Sequence, residues 1–87
     1  MKSDFGKPQQ VVIKKIIQET EFVKTFVFDY SMNAKPGQFI LVWLPGVDEK
    51  PFSVAWDDGQ EMAITFFAVG PMSQKLFEKK EGDRVGI

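Results

Sequence analysis

Apolar residues recur at every second position in run after run of this chain, and short turn signals separate the runs. Residues 22–30 set Phe22, Lys24, Phe26, Phe28 and Tyr30 against Val23, Thr25, Val27 and Asp29. Residues 61–69 set Met62, Ile64, Phe66 and Ala68 against Ala63, Thr65, Phe67 and Val69. Side chains alternate across a strand, so this period of two selects strands over helices. Residues 9–19 are β-branched and lack helix caps, which predicts another strand, bulged or bent at Lys14-Lys15. Gln38 to Leu44 is apolar on both alternating sets and predicts a strand covered on both faces. Phe52 to Trp56 predicts a short strand and Asp83 to Ile87 a last one.

Turns punctuate these runs. Thr20-Glu21 predicts a tight hairpin connection. Pro36-Gly37 is a strong turn signal, because Pro fixes φ and Gly admits positive φ. Pro45 to Glu49 reads as a loop. Asp57-Asp58-Gly59-Gln60 reads as a hairpin turn, with both central positions open to positive φ. Pro71 to Lys80 is the one helix candidate. Pro71 suits its first turn, Met72 and Leu76 share a face, and Gly82 suits its C-cap. Six strands and one helix at this spacing predict an all-β fold, a small antiparallel barrel. Residues 1–8 read as a flexible lead-in, and residues 9–87 as the barrel domain.

At 87 residues the chain suits one domain. A domain this small needs large core side chains, and nine Phe supply them. Eleven Lys or Arg stand against twelve Asp or Glu, and only Arg84 is an arginine. Nucleic-acid binding, which needs a basic face, is disfavoured. No apolar run approaches the roughly 18 residues of a membrane span, and Met1 to Gln10 lacks a secretory core. A cytoplasmic protein is expected. With no Cys and no His, thiolate clusters, typical zinc sites and Cys or His nucleophiles are excluded. Asp57 and Asp58 are adjacent acids, but a turn explains them.

Two segments remain. Gly70-Pro71-Met72-Ser73 leaves a strand and starts a helix, where free N–H groups can meet a phosphate. Lys50-Pro51-Phe52-Ser53 starts a strand with a cation, a stiff residue, a flat ring and a hydroxyl. Alone, each has an ordinary structural explanation. Their order, with about twenty residues and a hairpin between them, resembles the flavin domain of the ferredoxin–NADP reductase superfamily. That family carries Arg-x-(Tyr/Phe)-Ser on one strand and Gly-x-x-(Ser/Thr) entering the helix. Pro36-Gly37-Gln38-Phe39 matches a further family pattern, Pro-Gly-Gln-(Phe/Tyr). Within the superfamily the pattern is most similar to the electron-transfer subunit of type B dihydroorotate dehydrogenase, where a Pro often follows the basic residue as Pro51 does.

The resemblance implies a six-stranded antiparallel Greek-key barrel with one helix, and FAD as cofactor. It implies that Lys50 contacts the flavin phosphate and that Pro51, Phe52, Ser53 and Val54 line the isoalloxazine and ribityl. Phe67, Ala68 and Val69 would run along the ring or adenine side. Gly70, Met72 and Ser73 would serve the pyrophosphate. It implies an oxidoreductase component of pyrimidine biosynthesis, passing electrons between a catalytic dehydrogenase subunit and NAD(H). Two positions depart from the family: Lys50 replaces Arg, losing its bidentate fork, and Met72 replaces a second Gly. The family's NAD-binding domain would begin near Ile87, and its iron–sulfur cysteines have no counterpart here. The chain alone is therefore not expected to be a complete enzyme. The alternative is a flavin-free interaction barrel, a self-associating remnant or fragment, with Trp43, Phe77 and Ile87 as its contact surface. An oligonucleotide-binding barrel ranks below both.

Overall fold

The computed structural model describes residues 9–44 and 46–87; the predicted lead-in at 1–8 and Pro45 lie outside them. Six strands and one helix follow one another: β1 (Gln10–Gln18), β2 (Val23–Phe28), β3 (Phe39–Leu44), β4 (Asp48–Asp57), β5 (Met62–Phe67), α1 (Pro71–Phe77) and β6 (Arg84–Gly86). The strands close into a barrel in the order β1-β2-β5-β4-β3-β6. All pairings are antiparallel. The chain leaves β2 for the far side of the barrel at β3, then returns through β4 to β5 beside β2, a Greek-key path.

The alternating sets become inner and outer faces. Phe26, Phe28, Met62, Ile64 and Phe66 join Ile13, Val42, Val54 and Val85 in one buried cluster. Burying a large apolar side chain stabilises by roughly 1.5–3 kcal/mol, so this cluster is the main force behind closure. Phe26 and Phe66 meet edge to face at 4.9 Å, and Phe66 meets Phe52 the same way at 5.5 Å. Helix α1 adds Met72 and Leu76 to the cluster. Lys24 ties the helix end to β2, donating to the Phe77 carbonyl at 2.8 Å with its ammonium 4.3 Å from the Phe77 ring centre.

The expected bulge is present. The β1–β2 register shifts between Ile13 and Lys15, and Lys14, the extra residue, pairs with Glu61. Other expectations need correction. Phe22 stands in the β1–β2 turn, 65% exposed, because Thr20 and Val23 close that turn by hydrogen bonds. Helix α1 stops at Phe77, with Glu78 as its C-cap. Gly82, at φ +92°, instead shapes the turn from Lys80 to Asp83 that leads into β6. In the β4–β5 turn Gly59 and Gln60 are the central pair, and only Gly59 has positive φ. The Asp58 side chain holds this turn, its Oδ1 accepting from the Gln60 and Glu61 N–H groups at 2.9 and 2.8 Å.

Strand β3 is covered on one face only. Ile40, Val42 and Leu44 are buried, whereas Phe39 and Leu41 are 67% and 53% exposed. Strand β4 begins at Asp48 rather than at Phe52, since Asp48, Glu49 and Lys50 pair with Leu44, Trp43 and Val42. Trp43, Phe77 and Ile87 are half-buried, and the last two pack on the core. Among the described residues the most exposed large apolar side chains are instead Val69, Phe39, Phe22, Phe67 and Leu41.

Candidate functional site

The barrel wall opens between β4 and β5. Their pairing runs from Asp57–Met62 to Val54–Ile64, and no residue from Asp48 to Ser53 has a partner on β5. Those residues pair with β3 alone. Pro51 sits at the parting. The Val54 N–H and C=O both point to the β3 side, where they bond Gln38 and Gly37. Backbone groups alternate in direction along an antiparallel strand, so Phe52 and Lys50 also face β3. Pro51 faces the opening. Its missing N–H costs no ladder bond there, the condition under which a strand tolerates Pro.

A cleft of about 560 Å³ fills this opening, bounded below by the start of α1. Its size falls in the range of roughly 300–1,000 Å³ typical of small-molecule sites. Nine of the residues singled out from sequence line it: Lys50, Pro51, Phe52 and Ser53 from β4, and Phe67, Val69, Gly70, Met72 and Ser73 from the β5–α1 segment. Two do not. Val54 is 2% exposed and turns into the core, as its alternation with Ser53 requires. Ala68 is half-buried beside the cleft and not in its lining. Met72 is 2% exposed, so its bulk points into the core and does not crowd the cleft. Val47, Asp48, Thr65, Phe66 and Pro71 complete the lining. Thr65 was legible in principle, sharing the alternating face of Phe67. Asp48 was not, because residues 45–49 read as a loop, and only pairing with β3 extends β4 back to Asp48.

The β5–α1 segment is held by Ser73. Its Oγ accepts from the Val69 and Gly70 N–H groups at 2.9 and 3.0 Å, the reciprocal half of a capping box. The hydroxyl predicted to serve a ligand thus first fixes the loop. The N–H groups of Met72 and Ser73 make no backbone hydrogen bond among the described residues. Gly70 has extended backbone, φ −141° and ψ 179°, which any residue adopts. A Cβ built there meets nothing within 4 Å. Neither backbone nor packing demands glycine at this position, which is one of those lining the cleft.

Charge is confined to one rim. Lys50 Nζ lies 3.5 Å from Asp48 Oδ2, both exposed. Asp48 is held below its ordinary range, first by the Glu49 N–H and less by Lys50. An exposed pair of this kind is weak, so Lys50 is available to an anion. Asp57 lies away from the cleft. Partial burial disfavours its charge, but the Ser31 hydroxyl and the Ala34, Gly59 and Met32 N–H groups outweigh that and lower it to about 2. It anchors the loop before β3, and the adjacent acids have no shared chemistry. Among the described residues no group of three or more acids could hold a metal, and no helix is long and apolar enough to cross a membrane.

No protein-family model matches the chain. The chain is 49% identical over 77 residues to the "Probable dihydroorotate dehydrogenase B (NAD(+)), electron transfer subunit" of Thermococcus kodakarensis, covering 88% of this chain and 31% of that one. The protein of the same name in Methanocaldococcus jannaschii is 47% identical over 81 residues, covering 93% and 30%. Among solved structures, the "Ferredoxin reductase in carbazole 1,9a-dioxygenase" superposes with a TM-score of 0.74 at 24% identity, over 93% of this chain and 28% of that one. The last shows a shared fold. The chain spans about a third of the length of the curated relatives it matches. It is a relative of the electron transfer subunits of dihydroorotate dehydrogenase B, folded as the barrel that a ferredoxin reductase also contains.

Proposed function

We propose that the cleft binds a flavin, FAD, and that the chain is the flavin barrel of an electron-transfer subunit. In the complete protein it would pass electrons between a dihydroorotate-dehydrogenase-type catalytic subunit and NAD(H). The observation that carries this reading is the half of β4 that has no partner on β5. It faces a segment whose glycine leaves room that the protein does not use.

The residues present fit such a group. Pro51, Phe52 and Phe67 offer flat apolar surface for a ring, and Phe52 is held in place edge to face by Phe66. Ser53 adds a hydroxyl beside it. Lys50 and the free N–H groups of Met72 and Ser73 suit phosphate oxygens. Lys50 does so as a point charge, without the planar fork of an Arg. The flavin supplies the redox chemistry; the chain binds it, orients it and excludes water from one side.

FAD titrated into the purified chain should shift the flavin's visible bands, quench its fluorescence and raise the melting temperature, because only the folded state binds. No spectral change and no thermal shift at saturating FAD would refute this reading. Phe39 and Leu41 on β3, exposed and outside the cleft lining, favour a second property, self-association through the outer face. Sedimentation that stays monomeric at high concentration would remove it.

A further inference from the structure

The wall bordering the cleft contains a chain of three oxygens. Thr25 is the buried polar side chain of the described core, 4% exposed. It lies opposite Thr65 in the β2–β5 register, and their Oγ1 atoms are 2.7 Å apart. Thr25 Oγ1 also stands 2.7 Å from Glu19 Oε2. Glu19 follows directly on β1, and Thr65 lines the cleft.

Proton counting gives this chain a direction. A hydroxyl has one proton and two lone pairs, and an ionised carboxylate has no proton. Thr25 must therefore donate to Glu19. With its proton used, Thr25 can only accept from Thr65. The Thr65 proton then points away from the cleft, and lone pairs alone remain for a ligand. The reverse order would leave the Glu19 oxygen without its donor. Two hydroxyls in series behind a carboxylate also polarise each other in this same sense.

We propose that Glu19, acting through Thr25, fixes the Thr65 oxygen as an acceptor-only point in the cleft wall. Thr65 is thereby a specificity-determining residue. It favours a ligand N–H or O–H group and disfavours a phosphate oxygen at that point. Thr25 and Glu19 are positioning residues. The inference rests on the flavin reading for its ligand, since ring imide and ribityl hydroxyl groups are donors of this kind. The placement of charge agrees, with a carboxylate behind Thr65 and the Lys50 cation on the cleft's rim.

Two measurements on the full chain test it. Proton NMR of the free protein should show slowly exchanging hydroxyl protons on both Thr25 and Thr65, and the Thr65 signal should vanish in Thr25→Val. A Thr65 hydroxyl that exchanges like an exposed one in the unsubstituted protein overturns the proposed direction. In FAD titrations, Thr65→Val and Thr25→Val should each weaken binding about tenfold, the scale of one hydrogen bond. The double variant should bind no more weakly than Thr65→Val alone, because both act through one contact. Thr25→Ser should restore binding. Additive losses overturn the proposal, as does normal binding by a folded Thr25→Val. If the unsubstituted chain binds no FAD, the flavin reading fails, and the hydroxyl signals still decide the proton arrangement.

Discussion

Replacing Gly70 by Val separates the cleft from the fold. At φ −141° and ψ 179° the position has extended backbone, which a β-branched residue adopts readily. The added Cβ meets no atom within 4 Å, so the Cβ itself brings no packing cost. Removing a glycine from the unfolded chain gains about 0.4–1 kcal/mol. Replacing glycine at a helix N-cap by Val costs on the order of 0.5–1 kcal/mol. The two nearly cancel, leaving stability within about 0.5 kcal/mol of the starting value. For a domain this small that is a melting shift of no more than about 4 °C in either direction. Gly70 nevertheless lines the cleft next to the N–H groups left free at the start of α1, so a bulkier residue there should narrow it. FAD affinity should fall at least tenfold. Thermal unfolding and flavin fluorescence on the same preparations check both halves. A loss above about 2 kcal/mol would show that the space is not open. Unchanged stability with unchanged affinity would show that the cleft is not the site.

Ser73→Ala should act on the loop. It removes the acceptor for the Val69 and Gly70 N–H groups; water reaches the exposed Val69 side, so the expected loss is about 1 kcal/mol, or roughly 4–8 °C in melting temperature. Ser73→Thr should recover most of it in the same thermal scan, and equal melting of all three proteins would refute the role. Asp57 makes stability pH-dependent. Its carboxyl is lowered to about 2 in the folded state, below the ordinary value of about 3.9. Its contribution is therefore fully present above about pH 4 and lost as pH falls toward about 2. Asp57→Asn should be less stable than the parent by about 2 kcal/mol at neutral pH, with the gap closing across that window in urea titrations. A gap that stays constant down to pH 2.5 would contradict the assignment.

How far the sequence reached depends on the range of the physics involved. Alternation is local, and it placed β2, β5 and their buried face, with Phe26, Phe28, Met62, Ile64 and Phe66 inward. The bulge at Lys14-Lys15 and the Pro-initiated helix were likewise written in neighbouring residues. The two halves of the candidate site were visible as residue types, and nine of the eleven residues do line one cleft. What unites them is not local. The cleft exists because β4 follows β3 through Lys50 while its pairing with β5 ends at Val54. Hydrogen-bonded register between strands is a property of two segments at once, and neither segment encodes it alone. The same cause explains the misread faces. Phe39 and Leu41 look as apolar as Ile40 and Val42, yet only the latter meet the barrel interior. Thr25 and Thr65, forty positions apart in sequence, gain a shared proton chain only when β2 and β5 align. The sequence alone determined where the strands would run, apart from ends such as the start of β4 at Asp48, and which chemical groups were available. Tertiary pairing decided which strands part and which faces stay open, because those depend on what the fold places across from each residue.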